Sequence, residues 1–302
     1  MTVRAERSVY RWSAMASPIS LHLPGLGEDV GQAVARAVAE DIGASEQALS
    51  RFREGAELVL LNEHVGEWAA VSPRLYKALS ASLQAWRRTD GLFDPRVLVR
   101  LEEYGYVGVP RAHAPAEQPG VWLGRDPRHR QVLLRAPLDL GGIGKGLAVR
   151  WAARIARRVT GNFLLNAGGD LIAEGRGPDG GGWQIGVEDP HAPETLKAAV
   201  RIAARGAVCT SSIARLSWMH AGQKVHHLID PRTGRPGGEG ILAVTVISVD
   251  PAWAEVQSKT LFLRGQSGIV EAARGLAAIW VTDDGSLHVS SAAEPYVFWR
   301  AP

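Results

Sequence analysis

The chain has 302 residues, 46% of them hydrophobic, enough to bury a sizeable core as one large domain or two intimate subdomains. A net charge of +3, with no run of five or six cations, gives no indication of nucleic acid or of an anionic membrane as a partner. A single cysteine, Cys209, excludes an internal disulfide, and no Cys/His cluster has zinc spacing.

Met1 to Tyr10 carries charge and is not followed by an apolar stretch, so neither a secretory signal nor a lipid-anchoring cysteine is expected. No segment approaches the roughly 20 apolar residues of a membrane helix, and the cytoplasm is the expected location. Trp12 to Leu23 alternates and reads as a strand broken at Ser17-Pro18. Asp29 to Phe52 has helical periodicity, carried by Val30, Ala33, Val34, Ala37, Val38 and Ile42. A second helix is predicted from Ser72, an N-cap before Pro73, to about Arg88. Two prolines within 111–120 predict an exposed loop.

Leu138 to Gly146 reads as a strand end entering a glycine-rich turn, with a helix to about Val159. Phe163 to Leu165 is a short strand leading to Ala167-Gly168-Gly169-Asp170 and a further strand. Gly175 to Gly182 is a turn before a strand at Trp183 to Glu188. Strands follow near 198–204, 207–211, 225–229 and 243–249. Asp250-Pro251 opens a helix to about Leu263, and a last hairpin crosses Asp283-Asp284-Gly285. The pattern is mixed α/β with many antiparallel pairs, without the βαβα alternation of a doubly wound nucleotide fold.

Two segments carry chemistry. Leu138 to Ala148 reads Leu-Asp-Leu-Gly-Gly-Ile-Gly-Lys-Gly-Leu-Ala. Strand, glycines and a helix N-terminus can cradle a phosphate through backbone N–H groups, and Lys145 adds a point charge. The spacing fits neither of the stricter phosphate-binding patterns, and the same residues also make a ligand-free strand–helix turn. Both readings stay open on the residues alone. His226-His227-Leu228-Ile229-Asp230 places two histidines on opposite faces of a strand. A hairpin end with incidental histidines is the plainer reading of such a pair, and the alternative is that one faces a pocket and acts as a general base. Only five of the 34 cations are lysine, at positions 77, 145, 197, 224 and 259, which makes each lysine more informative.

Taken in order, several segments resemble the FAD:protein FMN transferase family, also called ApbE. Ala14-Met15-Ala16-Ser17-Pro18 looks like its opening M-G-T-P strand. Leu49-Ser50-Arg51-Phe52-Arg53, Glu57-Leu58 and Leu61-Asn62 look like its S-x-[YF]…S-E-L…L-N segment. Gly91-Leu92-Phe93-Asp94-Pro95 is similar to G-A-F-D-P, and Asp139 to Gly146 to D-L-G-G-I-A-K-G. Asn166 to Asp170, Thr210-Ser211-Ser212 and His227 to Gly234 resemble N-x-G-G-D, T-S-[GS] and H-I-I-D-P-x-T-G.

The resemblance implies an ApbE-like mixed α/β (α+β) fold, one domain over 1–302, with mixed, largely antiparallel sheets, flanking helices and FAD held between two closely packed halves. It implies cofactor contacts from Met15, Phe52, Leu92, Phe93 and Asp94, from Asp139, Gly141, Lys145, Gly168 and Gly169, and from Leu228 and Asp230. The implied activity attaches FMN from FAD to a Thr or Ser hydroxyl of a target flavoprotein, with AMP leaving. The target expected is a membrane-associated electron-transfer protein, and His227 is the candidate base. An FAD pyrophosphatase and a non-catalytic FAD-binding protein are the alternatives on the same fold.

One position departs from the family pattern. The family carries A-D-x-x-x-T, whose Asp and Thr hold Mg²⁺ with a backbone carbonyl from the glycine-rich turn. Here the segment reads Ala254-Glu255-Val256-Gln257-Ser258-Lys259, and the carbonyl would be that of Gly144. Glu255 can still offer oxygen to a hard cation, whereas protonated Lys259 cannot ligate and repels one. Glu255 and Lys259 share a helix face, so a surface ion pair is the plain alternative to a role for Lys259 in the chemistry.

Overall fold

The computed structural model describes residues 9–110 and 120–301, so the loop expected at 111–120 lies outside the described residues except for exposed Gly120. The chain forms two compact units, Met1–Gly43 with Lys145–Leu216 and Gly238–Pro302, and Ala44–Gly144 with Ser217–Gly237.

The first unit is built on an eight-stranded sheet. Its order is Val9–Ala14, Ser17–His22, Phe163–Ala167, Asp170–Glu174, Arg205–Ser212, Ile241–Ser248, Ala277–Thr282 and Leu287–Val289. Every neighbouring pair is antiparallel. Strand alternation explains its two buried faces. Phe163, Leu165 and Ala167 pack with Val34, Val38, Ile42, Val149 and Ala153, which come from helices Glu28–Leu49 and Gly144–Arg157. Leu164 points the other way, to Trp183, Ile185, Val200 and Ile202 of a three-stranded sheet formed by Trp183–Glu188, Leu196–Ile202 and Val297–Arg300. Helix Pro251–Leu263 lies against strands Arg205–Ser212 and Ile241–Ser248. Asp250 caps it as its sequence suggests, accepting from the Trp253 amide at 3.0 Å with proline in the first turn.

The second unit contains helices Glu57–Glu63, Pro73–Arg88 and Leu98–Glu103, a three-stranded sheet of Trp68–Ala70, Gln131–Leu134 and Leu123–Asp126, and two short hairpins. Ser72 caps Pro73–Arg88 through the Leu75 amide at 3.1 Å. Glu57 holds Ser72 in turn, taking its amide at 2.5 Å and its hydroxyl at 2.6 Å. Asn62 clasps Leu138 through two 2.9 Å bonds, which fixes the entry to the glycine-rich turn.

Several boundaries differ from expectation. The break in the first strand lies at Met15-Ala16, so 12–23 is a hairpin rather than a strand interrupted at Ser17-Pro18. The first helix stops at Leu49, and Leu138 to Leu140 is irregular chain rather than a strand end. The expected strand 225–229 is split into Gln223–His226 and Ile229–Asp230, because the backbone bends at His227.

Candidate active site

In the first unit the chemistry gathers at one end of the large sheet. Two two-residue hairpin turns meet there. Met15 and Ala16 both adopt φ +53, a left-handed conformation that costs non-glycine residues energy. Beside them, Gly168 and Gly169 (φ +62 and +96) turn the Asn166–Asp170 segment. A Cβ on Gly168 would lie 2.6 Å from the Ser17 hydroxyl, so glycine is required for the turns to abut.

Asp170 leaves this turn buried and is paired with the Lys145 ammonium at the start of helix Gly144–Arg157. Lys145 also approaches Glu255 Oε1 at 3.6 Å, and Lys259 reaches the same oxygen at 3.4 Å. The Gly146 amide donates to Glu255 Oε2 at 2.8 Å. Glu255 is 1% exposed and Lys259 18% in their side chains, so this pair is not on the surface. Burial opposes the Lys145 charge, but Asp170 and Glu255 outweigh it and hold its pKa well above the ordinary lysine value. Burial pushes the Glu255 carboxyl up while Lys145 and Lys259 pull it back. Both its oxygens accept from N–H donors. Cys209 donates to the Pro251 carbonyl at 3.3 Å, and burial, then Asp170 and Glu255, push its thiol far up, so it is no nucleophile.

This arrangement does not fit a divalent ion. A hard cation needs several free oxygens, and Glu255 already spends both of its own on N–H donors, two of them ammoniums. Among the described residues no three His, Cys, Asp or Glu side chains converge to hold a metal. The glycine-rich turn is also largely self-satisfied. Gly141 donates to Asp139 at 2.6 Å, Ile143 and Gly144 donate to the Leu140 carbonyl at 3.1 and 2.8 Å, and Gly146 is taken by Glu255. Positive charge at this position comes from lysine side chains more than from open backbone N–H groups.

In the second unit a ladder of π-surfaces replaces the charges. The Arg51 guanidinium carbon lies 4.1 Å from the Phe52 ring centre and 4.6 Å from that of Tyr106. Tyr106 stacks on Trp218 at 5.4 Å and 28°, and the His227 ring is 6.4 Å from Tyr106. Arg51 is buried, ion-paired with Asp139 and bonded to the Tyr106 carbonyl at 3.0 Å. Phe52 is 48% exposed, so its ring offers a face to a ligand.

The expected site residues divide between the units. Met15, Lys145, Gly168, Gly169, Glu255 and Lys259 gather in the first, and Phe52, Asp139, Gly141 and His227 lie along the ladder or its anchor in the second. Asp94 and Asp230 are each clasped by the arginine two residues on, Arg96 at 2.6 Å and Arg232 at 2.7 Å. These carboxylates pin turns. Leu92, Phe93 and Leu228 are buried, and Gly144 opens its helix. His226 accepts from the Leu228 amide at 3.3 Å, and burial lowers its pKa to about 4, so it stays neutral and supports the bend that displays His227. Sequence reasoning missed Arg51, Tyr106, Trp218 and the Asp170 partnership. Asp170 and Arg51 had a signal, since each lies within a quoted motif, Asn166–Asp170 and Leu49–Arg53.

The profile of the ApbE family matches residues 11–280. A protein of Escherichia coli K12 named FAD:protein FMN transferase is 26% identical over 94% of this chain and 86% of its own length. A Klebsiella pneumoniae protein of the same name is 28% identical over 95% of this chain and 93% of its own. The crystal structure of the ApbE protein from Thermotoga maritima is 25% identical, with a TM-score of 0.83 over 95% of this chain and 98% of that one. With the family profile spanning nearly all its strands and helices, the chain belongs to the ApbE family.

Proposed function

We propose that this chain is a flavin transferase that binds FAD and moves its FMN half to a hydroxyl of an acceptor protein. The family match over 11–280 carries the reading; the first unit offers a cluster of lysines and carboxylates, and the second, taken by itself, offers aromatic faces. In the proposed reaction an acceptor Thr or Ser oxygen attacks the FMN-side phosphorus, the bond to the bridging oxygen breaks, and AMP leaves with that oxygen. His227 takes the hydroxyl proton. Phosphoryl transfer depends on positioning and charge neutralisation more than on covalent help. Lys145, paired with Asp170 and close to Glu255, keeps the charged cluster of the first unit in place, and in the second unit Phe52 supplies a stacking face. Met15, Gly168 and Gly169 line the approach, while Asp94, Asp139 and Asp230 hold the turns that shape the other unit. The acceptor in view is a membrane-associated electron-transfer flavoprotein.

The test is incubation with FAD and a candidate acceptor, reading flavin fluorescence in a denaturing gel together with AMP release. One AMP per flavin attached to the acceptor supports transfer. AMP and FMN released equally without labelling the acceptor identify a pyrophosphatase instead, and FAD binding with neither product identifies a carrier.

A further inference from the structure

We infer that Lys259, held with Lys145 on Glu255, cancels the negative charge of the buried carboxylates and offers its remaining N–H donors to a bound pyrophosphate group, so that this protein binds its dinucleotide without a divalent ion. The inference rests on the FAD reading above and extends it to how the phosphates are held.

Charge balance is the first support. Asp170, Glu255 and Lys145 together carry one net negative charge, buried at the sheet end. A cluster of that sign repels a pyrophosphate and attracts a cation. Lys259 brings the cluster to neutrality from within the chain. A divalent ion placed on Glu255 would instead meet two ammoniums that already lean on the same oxygen, at 3.4 and 3.6 Å. The second support is donor capacity. An ammonium has three N–H groups, and Lys259 engages Glu255 at a long 3.4 Å while its side chain keeps 18% exposure. Lys145, by contrast, is committed to Asp170. The third support is rigidity. Ser258, next in the chain, is buried and bonded to Ser211 at 2.7 Å and to the Glu255 carbonyl at 3.0 Å. Gly146 packs so closely that a Cβ would lie 2.5 Å from the Pro251 carbonyl. The two helices that carry the lysines are therefore held at fixed spacing, and the ammonium is oriented before any ligand arrives.

The experiment measures equilibrium binding of FAD and of inorganic pyrophosphate in EDTA and in Mg²⁺, with Mn²⁺ binding followed by electron paramagnetic resonance. Wild type should bind both ligands with affinity changed less than about threefold by Mg²⁺, and should hold no stoichiometric Mn²⁺ with FAD present. Lys259→Ala should weaken both ligands in EDTA by about ten- to a hundredfold, the usual range for losing a charged hydrogen bond. Lys259→Arg should restore most of that loss. Lys259→Thr should acquire Mn²⁺ and make binding depend on Mg²⁺. Thermal unfolding checks each variant, and if Lys259→Ala fails to fold, Lys259→Gln takes its place. Wild-type binding that disappears in EDTA and returns with one Mn²⁺ per chain overturns the inference, as does unchanged affinity in folded Lys259→Ala. Pyrophosphate binding that needs no metal and depends on Lys259, without any FAD binding, overturns the flavin reading and leaves the lysine assignment standing.

Discussion

The two units solve the burial of charge in opposite ways. In the first, two carboxylates and two ammoniums share a pocket at a sheet end, and each oxygen of Glu255 is held by a group from a different turn of the chain. In the second, three carboxylates each have their own arginine: Asp94 with Arg96, Asp139 with Arg51, Asp230 with Arg232. A shared network is sensitive to the loss of any member, because the remainder keeps an unpaired buried charge. Separate clasps are local, and two of the three fix a turn within three residues. The first arrangement suits a place where ligand charge must be met, and the second suits a frame that displays rings.

Substitutions sharpen that contrast. The largest expected effect is His227→Ala, which should cut the transfer rate by roughly 10²–10⁴-fold while FAD affinity changes little. Rapid-mixing measurement of AMP release checks it, and a near-normal rate would remove His227 as the base. His226→Ala should mainly loosen the bend, with a stability loss of about 1 kcal/mol and a far smaller change in rate. Next comes Lys145→Ala, which strands Asp170 and should lower unfolding free energy by about 3–5 kcal/mol in a urea titration. A loss below about 1 kcal/mol would mean that the cluster is not a shared network.

Phe52→Ala sharpens the other side. Its ring is half exposed, so stability should change by about 0.5 kcal/mol or less. Base-type stacking on an aromatic is worth about 1–3 kcal/mol, so FAD affinity should fall at least fivefold or so by fluorescence titration. An equal loss of stability and affinity would make Phe52 a core residue.

A last effect concerns pH. His226 has a folded pKa near 4, below its ordinary 6.5, so the unfolded chain takes up its proton first. Stability from this group is fully present above about pH 6.5 and declines as pH falls towards 4. His226→Gln should flatten that part of the profile of urea midpoints against pH.

Much of this was legible in sequence where a local rule decides. Ser72 and Asp250 announced their helices because cap and proline are adjacent. Strand Trp183–Glu188 was legible because the glycine-rich turn Gly175–Gly182 sets its start, and its burial then alternates residue by residue. The short helices Glu57–Glu63 and Leu98–Glu103 were not, since two turns carry too little periodicity and are held by tertiary packing. Lys145 stood out by its type, yet nothing local tied it to Asp170 or Glu255. Those contacts exist only once strands and helices distant in sequence assemble, and the Arg51–Asp139 pair was hidden for the same reason.

The interleaving of the two units along the chain has a kinetic consequence. Strand Ser17–His22 must find Phe163–Ala167 across the whole of Ala44–Gly144. The entropic cost of such closure grows with the logarithm of the intervening flexible length, so it shrinks if that insertion has already condensed. Ala44–Gly144 leaves the ribosome before either Phe163–Ala167 or the hairpin Ser217–Gly237 that completes its unit. Early compaction of the insertion shortens the search for the sheet, and final closure waits for the C-terminal strands Ala277–Thr282 and Leu287–Val289. High contact order of this kind slows folding. Until Ala277–Thr282 has been made, the edge of strand Ile241–Ser248 has no neighbour on the side that this strand will occupy.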